Sequence, residues 1–569
     1  MAYRNFTTAL YCTVSTLRDI ESDKTFDERF RRLIRNFHLD KVYLETYGNN
    51  GTIDRDALIR LRDYFRSLGI QTSGGIGTTD QSAPERYGFI SLCYNNSEHT
   101  RKIREAIEVT ASIFDEIILD DFFFTNCKCE VCVREKGEAS WSSYRTERML
   151  RVSKELIVGP AKRVNPKVRV IVKYPNWYDC YQETGYNQKD EPSVFDAIYT
   201  GTETRDPLYT EQHLPKYLSY FLMRYNENLA SGRNGGGWFD MFECARDVSF
   251  YTQQITLTGL AGAKEFTMYS LGELMRPIHA VYPPLAGLAY DAMDRLIPEL
   301  GRPVGIACYK PYFSTGEEYL HGYLGMIGLP LEPQPTYPER AGKILLTESA
   351  AADPDILSRI QKSLIEGSDI MITSGFVRAM QGKGLDRLAN LRTDGRRAAV
   401  SEYGLSSNGL VFESRVEGDG EVLMPICQFA TNDAWQLAFG LTNDGNCPIL
   451  LAVNYGKGHL YLLVVPDNFG DLYRYPSRVL QAVRNVITPG EIRLDTKARV
   501  CLFLYDNDTF VVHSMLPWPE EVGVTVLFNG ARLQSIEGAD IPHTAEMSDG
   551  THFRIPLAPG EYRAFRVLR

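Results

Sequence analysis

Asp115-Glu-Ile-Ile-Leu-Asp-Asp-Phe-Phe-Phe-Thr-Asn-Cys-Lys-Cys-Glu-Val-Cys132 joins a short apolar run to two adjacent carboxylates and then to three closely spaced cysteines. Glu116 to Leu119 is brief, apolar and bounded by charge, as expected of a parallel strand buried on both faces. Acids at the C-terminal end of such a strand stand where α/β barrels place their active sites, so Asp120 and Asp121 are the first catalytic candidates. Their bland alternative is a turn-capping role, common for Asp.

Working outward, the same strand–helix rhythm recurs on both sides. Phe6 to Val14 reads as a strand, with Phe26, Phe30, Leu33 and Phe37 at helical spacing after it. Lys41 to Tyr47 is a second strand with Asp54 to Leu68 as its return helix. Gln71 to Ile76 is a third, followed by a loop with Cys93 and by the helix His99 to Phe114. After the opening stretch come a long helix near Ser142 to Val164, the strand Val168 to Lys173 and the strand Ala197 to Thr200. A helix around Leu214 to Asn228 precedes the Gly-rich strand Gly235 to Asp240. The helix Phe250 to Ala261 and the strand Glu265 to Tyr269 complete the series. Eight alternations over about 290 residues match a (β/α)8 TIM barrel in count and size; a doubly wound sheet would not need eight.

The barrel is expected over residues 1–300. Strand and helix segments from Val304 to Val465 predict a second α/β domain over 301–488, flavodoxin-like and similar to glutamine amidotransferases. No Gly-x-Cys-x-Gly elbow follows any of its strands, so it reads as non-catalytic. From Ile492 short alternating segments separated by Gly, Pro, Asp and Asn turns predict a small C-terminal antiparallel β-domain, sandwich-like, over 489–569.

Composition narrows the partners. With 62 basic against 72 acidic residues the formal charge is −10, which disfavours nucleic acid. The N-terminus lacks an apolar signal core, and the ~18 uninterrupted apolar residues of a membrane span are missing, so a cytoplasmic protein without membrane contact is expected. Aromatic residues make up 11% of the chain, a richness compatible with sugar-stacking platforms.

Eleven cysteines in 569 residues are too few for a disulfide scaffold. Cys127, Cys129 and Cys132 form C-x-C-x-x-C, spaced for thiolates converging on one Zn²⁺, with Cys93 as the natural fourth ligand. A closed four-thiolate site would be structural; the alternative is a set of reduced thiols without metal. A zinc hydrolase is disfavoured, since H-E-x-x-H is missing and four thiolates leave no position for water.

The run Asn126-Cys-Lys-Cys-Glu-Val-Cys132, a few residues after strand-end acids and followed by Trp141 and Tyr144-Arg145, resembles the zinc-cysteine loop of glycoside hydrolase family 42 β-galactosidases. Those enzymes also place a flavodoxin-like trimerisation domain and a small β-domain after a catalytic barrel. The resemblance implies a glycosidase acting on an oligosaccharide or glycoside, retaining and exo-acting. It further implies zinc on Cys93, Cys127, Cys129 and Cys132, no organic cofactor, and a homo-oligomer, trimer first and dimer second. It departs at the catalytic motif, where the family's Asn-Glu is replaced by Asp120-Asp121, so β-galactosidase specificity is not inherited.

Glycoside hydrolysis needs two carboxyl groups across one bond, ~5–5.5 Å apart for retention and ~6.5–9.5 Å for inversion. Strand-end sources are Asp120, Asp121, Glu203, Asp240 and Glu243. In one assignment Asp121 or Asp120 attacks the anomeric carbon and Glu203 or Asp240 is acid/base. In the other, the fourth-strand acid protonates the leaving oxygen and the seventh-strand region supplies the nucleophile. Tyr47, Tyr174, Asn176, Trp177 and Trp238 are candidate stacking and hydroxyl-binding groups, with Glu45 and Arg205 as polar clamps. A non-catalytic carbohydrate-binding or scaffolding barrel is the competing reading.

Overall fold

The computed structural model describes residues 2–49, 51–79, 88, 90–204, 214–443 and 445–569. Eight parallel strands close into a barrel: β1 Thr7–Cys12, β2 Lys41–Gly48, β3 Gln71–Ile76, β4 Glu116–Leu119, β5 Arg169–Tyr174, β6 Ala197–Gly201, β7 Asn234–Asp240 and β8 Glu265–Tyr269. The β1–β2 and β1–β8 pairings seal it. Inside, Ala9, Tyr11, Tyr43, Ile118, Ile171, Ala197, Tyr199 and Trp238 pack together, as alternation along strands buried on both faces requires.

Helix α1 (Arg55–Ser67) turns Ala57, Leu58, Leu61 and Phe65 inward and is capped by Asp54, which accepts from the N–H groups of Asp56 and Ala57, each at 3.0 Å. Helix α2 (Ser97–Ile113) is capped in the same way by Asn96. These caps fill the orphan donors of the first turn, worth roughly 1 kcal/mol each. The long helix expected from Ser142 to Val164 is one rod in three parts. Trp141–Val152 and Gly159–Val164 are α-helical, and Ser153–Val158 between them is a π-helix.

The chain divides into two compact units, Met1–Leu214 with Leu218–Ile297, and Pro215–Tyr217 with Pro298–Arg569. In the second unit, strands β9 Ile306–Tyr309, β10 Leu331–Gln334, β11 Lys343–Leu346, β12 Asp369–Thr373, β13 Leu391–Leu405, β14 Ser414–Phe429, β15 Trp435–Thr442, β16 Gly445–Tyr455 and β17 Gly458–Leu463 form one sheet. Its order is β10-β9-β11-β12-β17-β16-β15-β13-β14. The first five are parallel in the flavodoxin order 2-1-3-4-5. The other four are antiparallel, an extension not expected from the sequence. Pro303–Val304 and the strands from Ile492 onward make two antiparallel sheets, five- and four-stranded, around a core that includes Leu502, Phe510, Val524, Phe553 and Phe565. No helix among the described residues is long and apolar enough to cross a membrane.

Candidate active site and thiolate cluster

Strand β4 ends its pairing at Leu119, opposite Ile76 and Val172. Asp120 is the next residue. Its N–H still donates to the Ile76 carbonyl at 2.9 Å, and its Oδ1 accepts from the Phe122 N–H at 3.3 Å. Alternation from Ile118 aims Asp120 into the barrel. Beside it, Asp121 accepts a hydrogen bond from Lys173 Nζ at 2.6 Å, and the same ammonium donates to Glu203 Oε1 at 2.8 Å. Lys173, on β5, has a side chain only 1% exposed. Its ammonium lies 4.3 Å from the centre of the Trp238 ring, a cation–π contact that strengthens when dry.

This arrangement drives neighbouring carboxyls apart in acidity. Burial pushes the Asp120 carboxyl well above the usual range, and the charge of Asp121 adds to it. For Asp121 burial also pushes upward, but the Lys173 ammonium and hydrogen bonds from Asp120 and Lys173 outweigh it, leaving this carboxyl low. Glu203 ends raised, burial and Asp121 outweighing Lys173. Its Oε2 is buried without a hydrogen-bond partner among the described residues. Gly201 makes room for that oxygen, since a Cβ there would sit 2.6 Å from it. Asn176 Nδ2 donates to the Glu203 carbonyl and fixes the loop.

Tyr269, at the end of β8, feels the charge of several of these acids. Its hydroxyl is held above its ordinary value by burial and then by Asp120, Glu45, Asp121 and Asp240. Asp240 ends β7, and its Oδ1 accepts from the Phe242 N–H at 3.0 Å; the next helix starts only at Ser249, so Asp240 does not cap it. Glu243 has φ +60°, a left-handed conformation uncommon outside glycine. Glu45 is buried and accepts from Tyr11 Oη at 3.1 Å and the Val14 N–H at 2.7 Å. Burial pushes its carboxyl up to about 7.

Several expected binding groups lie elsewhere. Tyr174, one residue after inward-facing Lys173, points away from the mouth and packs against Tyr181 and Tyr186, with ring centroids 5.8 and 5.9 Å away. Tyr47 is turned outward by a register shift in β2 between Glu45 and Tyr47; one extra residue reverses the face of every later position in the strand. Trp238 is 2% exposed and packs on Tyr11 and Tyr269, a floor under Lys173 rather than a stacking platform. Trp177 is half-buried near Phe122, with ring centroids 6.5 Å apart. Arg205 lies outside the described residues. Sequence reasoning missed Lys173, Tyr269 and Tyr11. For Lys173 there was a signal, an ammonium in the apolar run Val170-Ile-Val-Lys173, where burial demands anionic partners.

The four cysteines do come together. Cys93 Sγ lies 3.7 Å from both Cys129 Sγ and Cys132 Sγ, and the latter two are 3.6 Å apart. With Cys127 all four sulfurs fall within 4.8 Å of one another. Sulfurs arranged tetrahedrally at ~2.3 Å from one ion stand ~3.8 Å apart, whereas a disulfide requires about 2.05 Å. The donor set therefore fits a closed four-thiolate metal site. Asn95 Nδ2 donates to Tyr144 Oη at 2.8 Å beside it, and Arg145 stacks on Trp141 with its guanidinium carbon 4.7 Å from the ring centre.

Comparison with known proteins gives a consistent picture. Residues 1–299 match the family described as "Probable glycosyl hydrolase, catalytic domain", residues 301–468 the second domain of the uncharacterized protein SSO3021, and residues 491–567 "Probable glycosyl hydrolase, C-terminal domain". SSO3021 itself, from Saccharolobus solfataricus, is 25% identical over 531 residues, covering 85% of this chain and 86% of that protein. Among solved structures, α-L-fucosidase isoenzyme 2 from Paenibacillus thiaminolyticus superposes with a TM-score of 0.66 at 12% identity over 100% of both chains. The GH42 β-galactosidase Gan42B of G. stearothermophilus gives 0.65 at 10% identity over 100% of this chain and 99% of its own. At such identities these two likenesses show the shared fold alone, and that fold is the family-42-like architecture expected from the cysteine loop. With the whole barrel matched to the catalytic-domain model, the chain belongs to the probable glycosyl hydrolase family and is a glycosidase.

Proposed function

We propose that the enzyme cleaves the glycosidic bond of an oligosaccharide or simple glycoside with retention, removing a terminal sugar. In this reading Asp121 is the nucleophile and Glu203 the acid/base. The observation that carries it is the placement of Lys173, which bonds one carboxyl whose pKa is lowered and one whose pKa is raised. Environments that push two carboxyls in opposite directions assign base and acid roles. Both oxygens bond one nitrogen, so they are no farther apart than those two bonds laid end to end, compatible with the ~5–5.5 Å of a retaining pair. The Asp121 carboxylate forms the bond to the anomeric carbon as the bond to the leaving oxygen breaks, and the Glu203 proton passes to that oxygen. Glu203 then takes a proton from the water that releases the sugar. Asp240 is the second candidate for acid/base. We further propose that the four thiolates hold structural Zn²⁺, which supplies cross-linking of two barrel loops and no part of the reaction.

The test is turnover of nitrophenyl glycosides of both anomers, with the anomer of the first-formed product read by NMR. Asp121→Ala should abolish turnover even with this good leaving group, and azide should rescue Glu203→Ala. Inversion of configuration, or near-native activity in Asp121→Ala, would refute the assignment. Rescue in Asp240→Ala but not in Glu203→Ala would move the acid/base role to strand β7.

A further inference from the structure

A cavity of about 780 Å³ opens on the outer side of β2, between α1 and α2. Asp120, Asp121, Glu203 and Asp240 do not line it. Its walls include Leu58 of α1, Leu92, and Ala106 and Val109 of α2, and the outward-turned Tyr47 joins them. That volume lies in the range of small-molecule pockets, and the apolar walls suit an apolar body.

Polar groups within this cavity lack partners. Thr79 lines it and is 2% exposed, yet its Oγ1 has no hydrogen-bond partner among the described residues. The Oδ1 of Asn49, also in the lining, is likewise buried and unpaired among them. Each such group costs about 1–3 kcal/mol until something bonds it. Lys102 is matched with Glu98 at 3.0 Å and Glu105 with Arg101 at 2.7 Å, so these two pairs favour no ion; Arg55 also lines the cavity.

We infer that this cavity is a second ligand site, separate from the acids, for a neutral amphiphile with an apolar body and a hydroxylated head, as in an alkyl glycoside. The apolar part covers Leu58, Leu92, Ala106 and Val109, and head hydroxyls bond Thr79 and Asn49.

Titration calorimetry of the full chain with n-octyl β-D-thioglucopyranoside, kept below micelle formation, tests this with a ligand that resists hydrolysis. One site per chain is expected, retained in Glu203→Gln. Glucose alone and 1-octanol alone should bind at least tenfold more weakly. Thr79→Val should weaken binding about fivefold, the loss of one hydrogen bond, without lowering the melting temperature of the free protein. Ala106→Trp should narrow the space and weaken binding; if it does not fold, Thr79→Val decides. Absence of binding to the wild type, unchanged binding in Thr79→Val, or loss of binding in Glu203→Gln would each overturn the inference. Equal binding of glucose or of octanol alone would overturn it as well.

Discussion

Replacing Lys173 by Met removes the one cation that, among the described residues, stands against both Asp121 and Glu203, and does so in a site where the lysine is 1% exposed. The ion pair to Asp121 at 2.6 Å and the hydrogen bond to Glu203 at 2.8 Å are lost together. Deleting one partner of a buried pair costs about 3–5 kcal/mol, because the charge left behind is uncompensated. For a domain of this size each kcal/mol is worth roughly 2–4 °C, so Lys173→Met should melt roughly 6–20 °C below wild type at pH 8. Linkage sets the sign of the pH dependence. In the wild type Asp121 is depressed, so its stabilising contribution is present above its unfolded value and lost as pH falls through the folded one. Without Lys173, burial raises Asp121 as it already raises Asp120 and Glu203, and the native state then binds more protons than the unfolded chain. Stability of the variant should therefore decline as pH rises, and the gap should narrow toward pH 4–5. Circular-dichroism melts from pH 4.5 to 8 measure this. A gap that is constant over the range, or smaller than about 2 °C at pH 8, would show that the lysine is not the counter-charge argued here.

Elemental analysis should find about one zinc per chain, and chelation should lower the melting temperature more than the turnover of still-folded enzyme, with Trp141 fluorescence reporting the loss; stable metal-free protein would contradict the site. Gly201→Ala places a methyl 2.6 Å from Glu203 Oε2 and should cut kcat at least tenfold, with KM changing less. Glu45 sits near pH 7 when folded against 4.5 ordinarily, so its ionisation weakens folding by about 3 kcal/mol above neutrality. Glu45→Gln should raise the melting temperature at pH 8 and leave it unchanged near pH 4.5; an equal shift at both would refute this. Light scattering should give a trimer, or failing that a dimer, and the 64.5 kDa monomer at micromolar concentration would contradict that expectation.

The features legible in the sequence were those local in sequence. Glu116–Leu119, Gln71–Ile76 and Glu265–Tyr269 are apolar or small runs ended by polar residues, and the structure sets those three strands at the expected bounds. The cysteines could be read because three of them share six positions. Lys173 left a trace as an ammonium in an apolar run, but its partners could not be read, because they lie 52 and 30 residues away along the chain and only barrel closure brings β4, β5 and β6 together. The orientation of Tyr47 was hidden for a different reason: a single extra residue in β2 decides its face, and no residue type announces a bulge. Leu391–Leu405 and Ser414–Phe429 were missed because long exposed stretches and register shifts break the period of two that identifies a strand.

Asp-Asp at the end of β4, which departs from the Asn-Glu of family 42, acquires a reason once Lys173 is in view. A buried ammonium between two strand ends needs one full negative charge close by, and Asp121 supplies it. Asp120, aimed inward and raised, shares a hydrogen bond with Asp121. Glu203 is raised as well. Pairing Lys173 with Asp121 and raising Asp120 and Glu203 both reduce the charge that four buried ionisable side chains would otherwise carry. In the proposed mechanism the lowered carboxyl suits attack and the raised one suits protonation of the leaving oxygen. An Asn at position 120 would still donate to Asp121 but would carry no proton to move, so Asp120→Asn should keep the fold and the ionisation of Asp121. If Asp120 only steadies Asp121, that variant retains turnover within about tenfold. If instead Asp120 is the proton donor, turnover collapses most for glycosides with poor leaving groups, and the acid role passes from Glu203 to Asp120.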